Sequence, residues 1–251
     1  MILDIDMGNT RLKWRIRNGQ DKLAQGFIGV EESLELIADK LQPYRDVISA
    51  VLVASVVGGQ LGQRLEAWSI TYLGLKPEFA RTGVACGLVR NGYREPLLLG
   101  VDRWLMIIAA YHRVNGACIV ISCGTAVTLD LVAHDGEHLG GYIAPGFGLM
   151  SASLTAGARQ VKLDHPMGDL SLSPATATAE AVYSACAAML TGLIDNGVRQ
   201  MRLLDRDCHF EMILTGGDAD KLMSFYPQAR LIPDLVLDGL AYALDYPQKL
   251  E

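Results

Sequence analysis

Two stretches near the start of the chain alternate between apolar and polar residues. Residues 2–6 alternate apolar with acidic side chains, residues 11–17 alternate polar with apolar ones, and residues 8–10 (Gly-Asn-Thr) lie between them. A period of two predicts a strand, a tight turn and a second strand. Residues 31–42 then carry apolar side chains at helical spacing, and the apolar run at 49–56 predicts a buried strand.

The strand–turn–strand pattern recurs near the middle of the chain. Residues 118–132 again form two strand-like stretches, with a turn around Gly124 between them. Gly124 follows Gly8 by 116 residues, and the same alignment pairs Leu12 with Thr128. A unit that begins each half of the chain indicates an internal duplication.

Helices are predicted after each of these units. The predicted helices are residues 60–73, 101–113 and 178–203, with a final helix that begins near Leu235, and the Gly- and Arg-rich segment 83–100 is predicted to be irregular. Strands that alternate with helices are typical of α/β proteins. We therefore predict an α/β fold in two duplicated domains, residues 1–115 and 116–251.

Composition excludes several classes of function. Half of the 251 residues are hydrophobic and the net charge is −6, which argues against a general nucleic-acid binder. The five cysteines are odd in number and form no Cys-x-x-Cys pair, so we expect reduced thiols and no zinc site. No signal peptide is predicted, and the apolar run near 104–111 is too short to span a bilayer. We expect a cytoplasmic protein without a membrane partner.

The first turn is a candidate phosphate-binding site. Glycine at position 8 leaves backbone N–H groups accessible, Asp6 at the strand end is able to hold Mg²⁺ through water, and Lys13 points back toward the turn. An ordinary hairpin is the alternative, because Gly-Asn is common in such turns. The second turn at Gly124-Thr125 favours phosphate binding, since two such turns can clamp a polyphosphate. The chain has neither a P-loop motif nor a Rossmann glycine motif.

Asp102 and Arg103 lie at the head of the predicted apolar helix. An acidic residue in a first helical turn either caps the helix and compensates its dipole or performs chemistry. In the functional interpretation, Asp102 is a general base that accepts a substrate hydroxyl proton, and Arg103 is an anion clamp. Tyr93 supplies a further polar contact.

His134 and His138 are four residues apart, which resembles metal-ligand spacing only on a helix. Asp135-Gly136 between them predicts a hairpin tip instead. We therefore expect a solvated turn there and assign no metal to it.

Seven short motifs follow one another over essentially the whole chain. They are Asp6-Met7-Gly8-Asn9-Thr10-x-x-Lys13, Asn91-Gly92-Tyr93, Gly100-Val101-Asp102-Arg103-Trp104, Gly124-Thr125-Ala126-Val127-Thr128, Gly140-Gly141-Tyr142-Ile143-x-Pro145-Gly146, Thr215-Gly216-Gly217-Asp218 and Pro233-Asp234-Leu235-Val236-Leu237-x-Gly239-Leu240. In this order the set resembles the type III pantothenate kinase family. The order is far more specific than any single motif.

The resemblance implies a fold and a reaction. The fold is that of the acetate and sugar kinase, Hsp70 and actin superfamily, with two duplicated actin-like (ribonuclease H-like) domains and a nucleotide cleft between them. The reaction is the phosphorylation of pantothenate to 4′-phosphopantothenate by ATP with Mg²⁺, the first step of coenzyme A biosynthesis. The family also implies a homodimer with pantothenate near the dimer interface.

The resemblance further implies roles by motif position. The residues implied to bind ATP are Asp6, Met7, Gly8, Asn9, Thr10, Arg11, Leu12, Lys13 and Thr125. The residues implied to contact pantothenate are Tyr93, Gly100, Val101, Asp102, Arg103 and Thr178. Asp102 is the implied catalytic base, and Asp6 is the implied Mg²⁺ ligand through water.

Ser122 departs from the family pattern. The family has an acidic residue two places before the glycine of the second turn, and it binds a monovalent cation, K⁺ or NH₄⁺. A serine hydroxyl coordinates such a cation only as a neutral ligand. The hypothesis is that cation activation is weakened or is supplied by other groups.

Two rival functions are open on the residues alone. The same fold serves many phosphotransferases, so the acceptor is open to another small hydroxyl compound such as a sugar. A non-catalytic regulatory protein that keeps the nucleotide cleft is the second rival. It predicts an impaired Asp102 or Lys13, and both residues are intact.

Overall fold

A computed structural model of the chain describes residues 1–158, 160–204 and 209–246. Its strands are β1 (Ile2–Met7), β2 (Arg11–Asn18), β3 (Asp21–Gly29), β4 (Ala50–Ser55), β5 (Glu78–Phe79), β6 (Ala85–Cys86), β7 (Val89–Arg90), β8 (Cys118–Cys123), β9 (Ala126–Val132), β10 (His138–Pro145), β11 (Glu211–Thr215) and β12 (Arg230–Leu231). Its α-helices are α1 (Glu35–Leu41), α2 (Gly59–Leu73), α3 (Val101–Val114), α4 (Phe147–Gly157), α5 (Thr178–Leu204), α6 (Asp220–Met223) and α7 (Leu235–Ala243). Short 3₁₀ helices cover Gln42–Val47 and Pro96–Leu98.

Two five-stranded sheets share one strand order. The first is β3-β2-β1-β4-β5 and the second is β10-β9-β8-β11-β12. In both, the first three strands pair antiparallel, the fourth pairs in parallel with the central strand, and the fifth pairs in parallel with the fourth. The predicted α/β fold and its duplication are therefore confirmed.

Residue contacts divide the chain into two units. Unit 1 contains Met1–Ala109 together with the segment that begins at Leu235, and unit 2 contains Ala110–Asp234. The final helix therefore groups with the first sheet, although it follows the second sheet in sequence. The domain limit at residue 115, which follows the duplication and not the contacts, stays a prediction.

The sheet of unit 1 is covered on both faces. On one face, Leu3 and Met7 of β1 pack in a core with buried residues of α1 and α2. On the other face, Leu52 of β4 packs in a second cluster with Leu105 of α3 and Leu240 of α7. Helices α3 and α7 therefore share the face to which the even-numbered residues of β1 point, because side chains alternate along a strand.

Unit 2 has one large core between its sheet and the long helix α5. Ile119 and Ile121 of β8 pack there with Ala187 and Leu190 of α5. Helix α4, which follows β10, was not predicted, because its small, hydroxyl and apolar residues alternate without helical periodicity.

The two hairpins differ by one residue in their turns. Asp6 pairs with Lys13 across β1 and β2, whereas Ser122 pairs with Thr128 across β8 and β9. Thr128 is therefore the counterpart of Lys13. The sequence alignment of Thr128 with Leu12 was wrong, because a constant offset cannot follow a turn that is one residue shorter.

The turn predicted at His134 is present, but its second histidine is not solvated. His134 is exposed, whereas His138 at the start of β10 is buried and its Nε2 lies 2.9 Å from Asp130 Oδ1. His138 lies beyond the turn at the start of β10, and the strand places its ring beside Asp130 in the interior of unit 2. Among the described residues, no group of three or more His, Cys, Asp or Glu residues is placed to hold a metal ion.

Candidate active site

The β1–β2 turn exposes two polar side chains, Asn9 and Thr10. Gly8 closes the turn by donating its backbone N–H to Arg11 O at 3.0 Å, and a Cβ atom at Gly8 would lie 3.2 Å from that oxygen. The N–H of Val30 donates to Thr10 O at 3.1 Å, which fixes the turn against the end of β3. The turn thus combines exposed backbone with amide and hydroxyl groups, as phosphate sites do.

Met7 and Leu12 flank the turn but point away from it. Each is only 2% exposed, and both belong to the core under α1 and α2. If these two residues contact a nucleotide, they do so through their backbone. Because successive side chains of a strand point to opposite faces of the sheet, Asp6 and Lys13 lie on the face opposite to Met7 and Leu12.

Asp6 lies in a setting that favours a bound cation. Burial raises the pKa of its carboxyl group to about 6; the charge of Lys13 lowers that pKa and the charge of Asp102 raises it. The ionised form is therefore poorly solvated and only partly compensated by Lys13. A divalent cation held near Asp6 would supply the missing positive charge, so the residues present fit a Mg²⁺ ion.

Asp102 lies in the first turn of α3, close enough to Asp6 for the two charges to interact. Its Oδ1 accepts a hydrogen bond from the Arg103 backbone N–H at 2.8 Å. A Cβ atom at Gly100 would lie 2.7 Å from Asp102 Oδ1, so glycine leaves the room that this carboxylate occupies. Asp102 thus accepts a hydrogen bond at the helix start, and its charge also raises the pKa of Asp6, which simple capping does not require.

Buried Arg103 and partly buried Tyr93 form a pair beside Asp102. The Arg103 Nη1 donates to Tyr93 Oη at 2.5 Å, and the guanidinium carbon lies 5.4 Å from the centre of the tyrosine ring. Arg103 is 4% exposed, so it fixes Tyr93 from inside the protein. An open anion clamp would need more of the guanidinium at the surface.

Asn91 holds the irregular segment in which Tyr93 lies. Its Nδ2 donates to Gly83 O and to Pro96 O, both at 3.0 Å, and its Oδ1 accepts from the Tyr93 backbone N–H at 3.0 Å. One amide therefore fixes both ends and the middle of this segment. The sequence identified the Asn-Gly-Tyr motif but not this role of the asparagine.

Two glycines pack closely on the second turn, in unit 2. The Gly146 N–H donates to Thr125 O at 2.9 Å, and a Cβ atom at Gly146 would lie only 2.1 Å from Gly124 O. A Cβ atom at Gly216, whose φ is +95°, would lie 2.3 Å from Cys123 O. Larger residues at either position would displace the turn, on which Thr125 is exposed.

Three hydroxyl side chains lie in register next to that turn. Ser122 of β8 pairs with Thr128 of β9 on one side and with Thr215 of β11 on the other. The Thr128 Oγ1 is buried and has no hydrogen-bond partner among the described residues. In the first sheet, Asp6 and Lys13 occupy the positions equivalent to Ser122 and Thr128. The second sheet therefore has neutral hydroxyl groups where the first sheet has a pair of opposite charges.

The structure distributes the predicted site residues over the two units. Unit 1 brings together the first turn, Asp6, Asp102, Arg103 and Tyr93. Unit 2 holds Thr125 on the second turn, and Thr178 as the exposed first residue of α5. No helix among the described residues has the length and apolarity needed to cross a membrane.

Several known proteins that are similar to this chain are type III pantothenate kinases. The model of the type III pantothenate kinase family matches residues 2–200. A type III pantothenate kinase of Cellvibrio japonicus is 40% identical over 248 residues, which cover 98% of this chain and 97% of that protein. One of Pseudomonas aeruginosa is also 40% identical over 248 residues, with 97% and 98% covered.

Solved structures support the fold. A protein of Sinorhizobium meliloti assigned as a 2-dehydro-3-deoxygalactonokinase superposes with a TM-score of 0.60 at 13% identity, over 98% of this chain and 99% of that one. The activator of 2-hydroxyisocaproyl-CoA dehydratase from Clostridium difficile superposes with a TM-score of 0.51 at 13% identity, over 98% and 94%. The actin-like kinase fold is thus common to proteins of different function, whereas similarity over nearly the full sequence is specific: the chain belongs to the type III pantothenate kinase family.

Proposed function

We propose that this protein transfers the terminal phosphoryl group of ATP to the hydroxyl group of pantothenate and so forms 4′-phosphopantothenate, the first step of coenzyme A biosynthesis. Membership of the family supports the substrate. The observation that carries the proposal is the interaction of two carboxylates, Asp6 and Asp102, in unit 1. One carboxylate is suited to the metal of a nucleotide and the other to a hydroxyl proton.

On the nucleotide side, the first turn and Lys13 bind the phosphates of ATP, and Asp6 would hold Mg²⁺ through water. Met7 and Leu12 contribute backbone groups, because their side chains lie in the core. Thr125, on the second turn, supplies a further hydroxyl and backbone contact. When bound, Mg²⁺ neutralises phosphate charge; the residues of the chain position the groups that react.

On the acceptor side, Asp102 orients the pantothenate hydroxyl and accepts its proton as the hydroxyl oxygen bonds to the terminal phosphorus of ATP. The bond from that phosphorus to the bridging oxygen breaks, and ADP leaves. Tyr93 and Thr178 contact pantothenate, together with the helix start at residues 100–103. The burial of Arg103 supports a role in holding Tyr93 toward the substrate. Rotation of Tyr93 away from this position would loosen pantothenate binding.

Asp102→Asn tests the proposed base. General-base help contributes about 10²–10⁴-fold, so we expect turnover with ATP and pantothenate to fall by that factor. Binding of a non-hydrolysable ATP analogue should persist, because Asp102 is not a phosphate ligand. Asp39→Asn, an exposed carboxylate of α1, is the matched control and should leave turnover unchanged. Near-normal turnover in Asp102→Asn would remove this residue from the mechanism.

A panel of acceptors tests the substrate. We expect labelled phosphate to pass from ATP to pantothenate in preference to sugars and other small hydroxyl compounds. Preference for a sugar would favour the rival kinase. Nucleotide binding without transfer to any acceptor would favour a regulatory protein.

The monovalent cation site is proposed at the row of hydroxyls around Ser122. These hydroxyl oxygens are neutral, and among the described residues the Thr128 Oγ1 has no hydrogen-bond partner. The three hydroxyl groups are therefore suited to bind K⁺ or NH₄⁺ weakly. We expect only partial loss of turnover when both ions are replaced by Na⁺ or Tris. Full loss would show that activation by the cation is undiminished.

A homodimer is proposed from the apolar surface of unit 1. Four large hydrophobic side chains of the irregular segment are more than 60% exposed: Val84, Leu88, Leu97 and Leu98. Such a patch next to Tyr93 is typical of an interaction surface. We expect sedimentation velocity to show a dimer that Leu97→Asp dissociates and that Val47→Asp, on another exposed position, leaves intact.

The proposed location is the cytoplasm, where ATP is available. Fractionation of cells that express the chain with a short epitope tag would test this location. Recovery in another fraction would refute it.

A further inference from the structure

We infer that α7 braces the phosphate-binding hairpin against the helix that carries the catalytic base, with Asp238 and Gly239 as positioning residues for phosphoryl transfer. These consecutive residues contact β2 and α3, the elements that carry Lys13 and Asp102. The inference rests on the proposed function for its consequence in catalysis. Its structural part stands on contacts within unit 1 alone.

Asp238 joins α7 to the hairpin through a buried ionic network. The Arg15 Nη1 donates to Asp238 Oδ1 at 2.6 Å, and the Arg15 Nη2 donates to Asp4 Oδ2 at 2.9 Å. The Arg17 Nε donates to the same Asp4 oxygen at 2.8 Å. All four side chains are buried, and the two guanidinium groups balance the two carboxylates.

This network lies beside the Asp6–Lys13 pair on the sheet. Asp4 pairs with Arg15 across the two strands, and Asp6 pairs with Lys13 two residues further along. Residues two apart on a strand point to the same face. The network therefore fixes β1 and β2 next to Asp6 and Lys13, the two charged residues proposed to bind Mg²⁺ and the phosphates of ATP.

Gly239 joins α7 to the base helix by backbone contact. A Cβ atom at this position would lie 2.3 Å from Leu105 O and 2.7 Å from Leu105 C. Leu105 follows Asp102 by three residues, which is about one helical turn. A backbone group is not a flexible side-chain end, so an alanine at position 239 must move one helix away from the other.

The side chains of α7 on either side of Gly239 complete the contact. Leu237 and Leu240 pack in one cluster with Leu105 of α3 and with Leu52 and Ala54 of β4. Helix α7 thus meets the hairpin through the Arg15–Asp238 ion pair and meets α3 through close backbone contact. Phosphoryl transfer depends on alignment, and a displacement of about 1 Å costs on the order of 10²-fold in rate.

Gly239→Ala in the full chain tests the brace. We expect kcat per folded molecule to fall about 10–100-fold, while KM for ATP and for pantothenate changes little. Gly62→Ala is the matched control, because it is also a helical glycine of unit 1 and its added Cβ would meet only Phe79 Cε1 at an ordinary 3.8 Å.

Asp238→Asn keeps the inference testable if Gly239→Ala does not fold. It preserves side-chain shape and removes one charge from the network, so the same selective loss of kcat is expected. A wild-type kcat in the folded variants, or a loss no greater than in Gly62→Ala, would overturn the inference. So would a rise in KM that alone accounts for the lost activity.

Hydrogen exchange separates this inference from the proposed function. In Gly239→Ala, amides at 102–106 should exchange faster than in Gly62→Ala, whatever the substrate of the enzyme. If the wild type fails to phosphorylate pantothenate, the proposed function fails and the exchange result still decides the brace. Unchanged exchange at 102–106 would refute the brace even in an active enzyme.

Discussion

Replacing Asp6 by asparagine should stabilise the ligand-free protein while it abolishes activity. The pKa of Asp6 is raised from its ordinary 3.8 to about 6, chiefly by burial. At neutral pH the folded state therefore holds a carboxylate that is better solvated in the unfolded chain. Asparagine keeps the shape and has no charge to bury, so the penalty disappears.

The size of the effect follows from the pKa. One unit of pKa corresponds to about 1.4 kcal/mol, so the full shift is worth about 3 kcal/mol. The side chain is partly exposed, and solvent screening reduces the expected gain to about 1–2 kcal/mol in the free energy of unfolding. This gain should be fully present above pH 6. It should shrink as the pH falls and vanish below pH 3.8, where wild-type Asp6 is protonated in both states.

Urea unfolding of the ligand-free protein in EDTA, at several pH values, measures this gain. Asp21→Asn, an exposed carboxylate at the start of β3, is the matched control. Asp6→Asn should exceed wild type in stability at pH 7.5 and match it near pH 3.8. A variant that is less stable than wild type at pH 7.5 would refute the reasoning, because it would mean that Lys13 more than compensates for burial. Addition of Mg²⁺ and ATP should stabilise wild type more than Asp6→Asn.

Two further substitutions test the neighbourhood of the site. Gly146→Ala should raise KM for ATP by about tenfold or more, because the added carbon displaces the second turn. Gly148→Ala is the control, because its Cβ meets nothing within 4 Å, and it should leave KM for ATP unchanged. Equal KM values in the two variants would contradict this prediction. Asn91→Ala should raise KM for pantothenate more than KM for ATP, since three hydrogen bonds that position Tyr93 and its segment are lost, and steady-state kinetics with each substrate varied would show the difference.

The sequence predicted the fold well because the duplication is visible as a local pattern. Two strand–turn–strand units, each with a period of two, begin the two halves, and the helix over 101–113 has a strong apolar pattern that the structure shows as Val101–Val114. Local periodicity also gave the long helix, predicted at 178–203 and found at Thr178–Leu204. These elements are determined by residues that are close in sequence.

Features that depend on distant contacts could not be predicted in the same way. The turns differ by one residue, which only the pairing of Thr128 with Ser122 reveals. His138 is buried because Asp130 lies opposite on the neighbouring strand. Nothing local indicates that Asp238 pairs with Arg15, since 223 residues separate them.

The candidate site shows the same division. The order of motifs named Asp6 and Asp102 separately, and the structure adds that their charges interact. Burial decides which members of the first motif present side chains, and it excludes Met7 and Leu12. The roles assigned to the site residues stay predictions until the substitutions are measured.

The discontinuity of unit 1 has a consequence for the order of folding during synthesis. Unit 2 is one uninterrupted stretch, residues 110–234, whereas unit 1 lacks Asp238 until α7 leaves the ribosome. Until then Arg15 has no carboxylate from α7, and one face of the first sheet lacks its helix. Because domains fold as units, we expect unit 2 to fold first on the ribosome. The hairpin of β1 and β2 precedes α7 in the chain, so we expect it to gain its Arg15–Asp238 ion pair only after α7 has emerged from the ribosome.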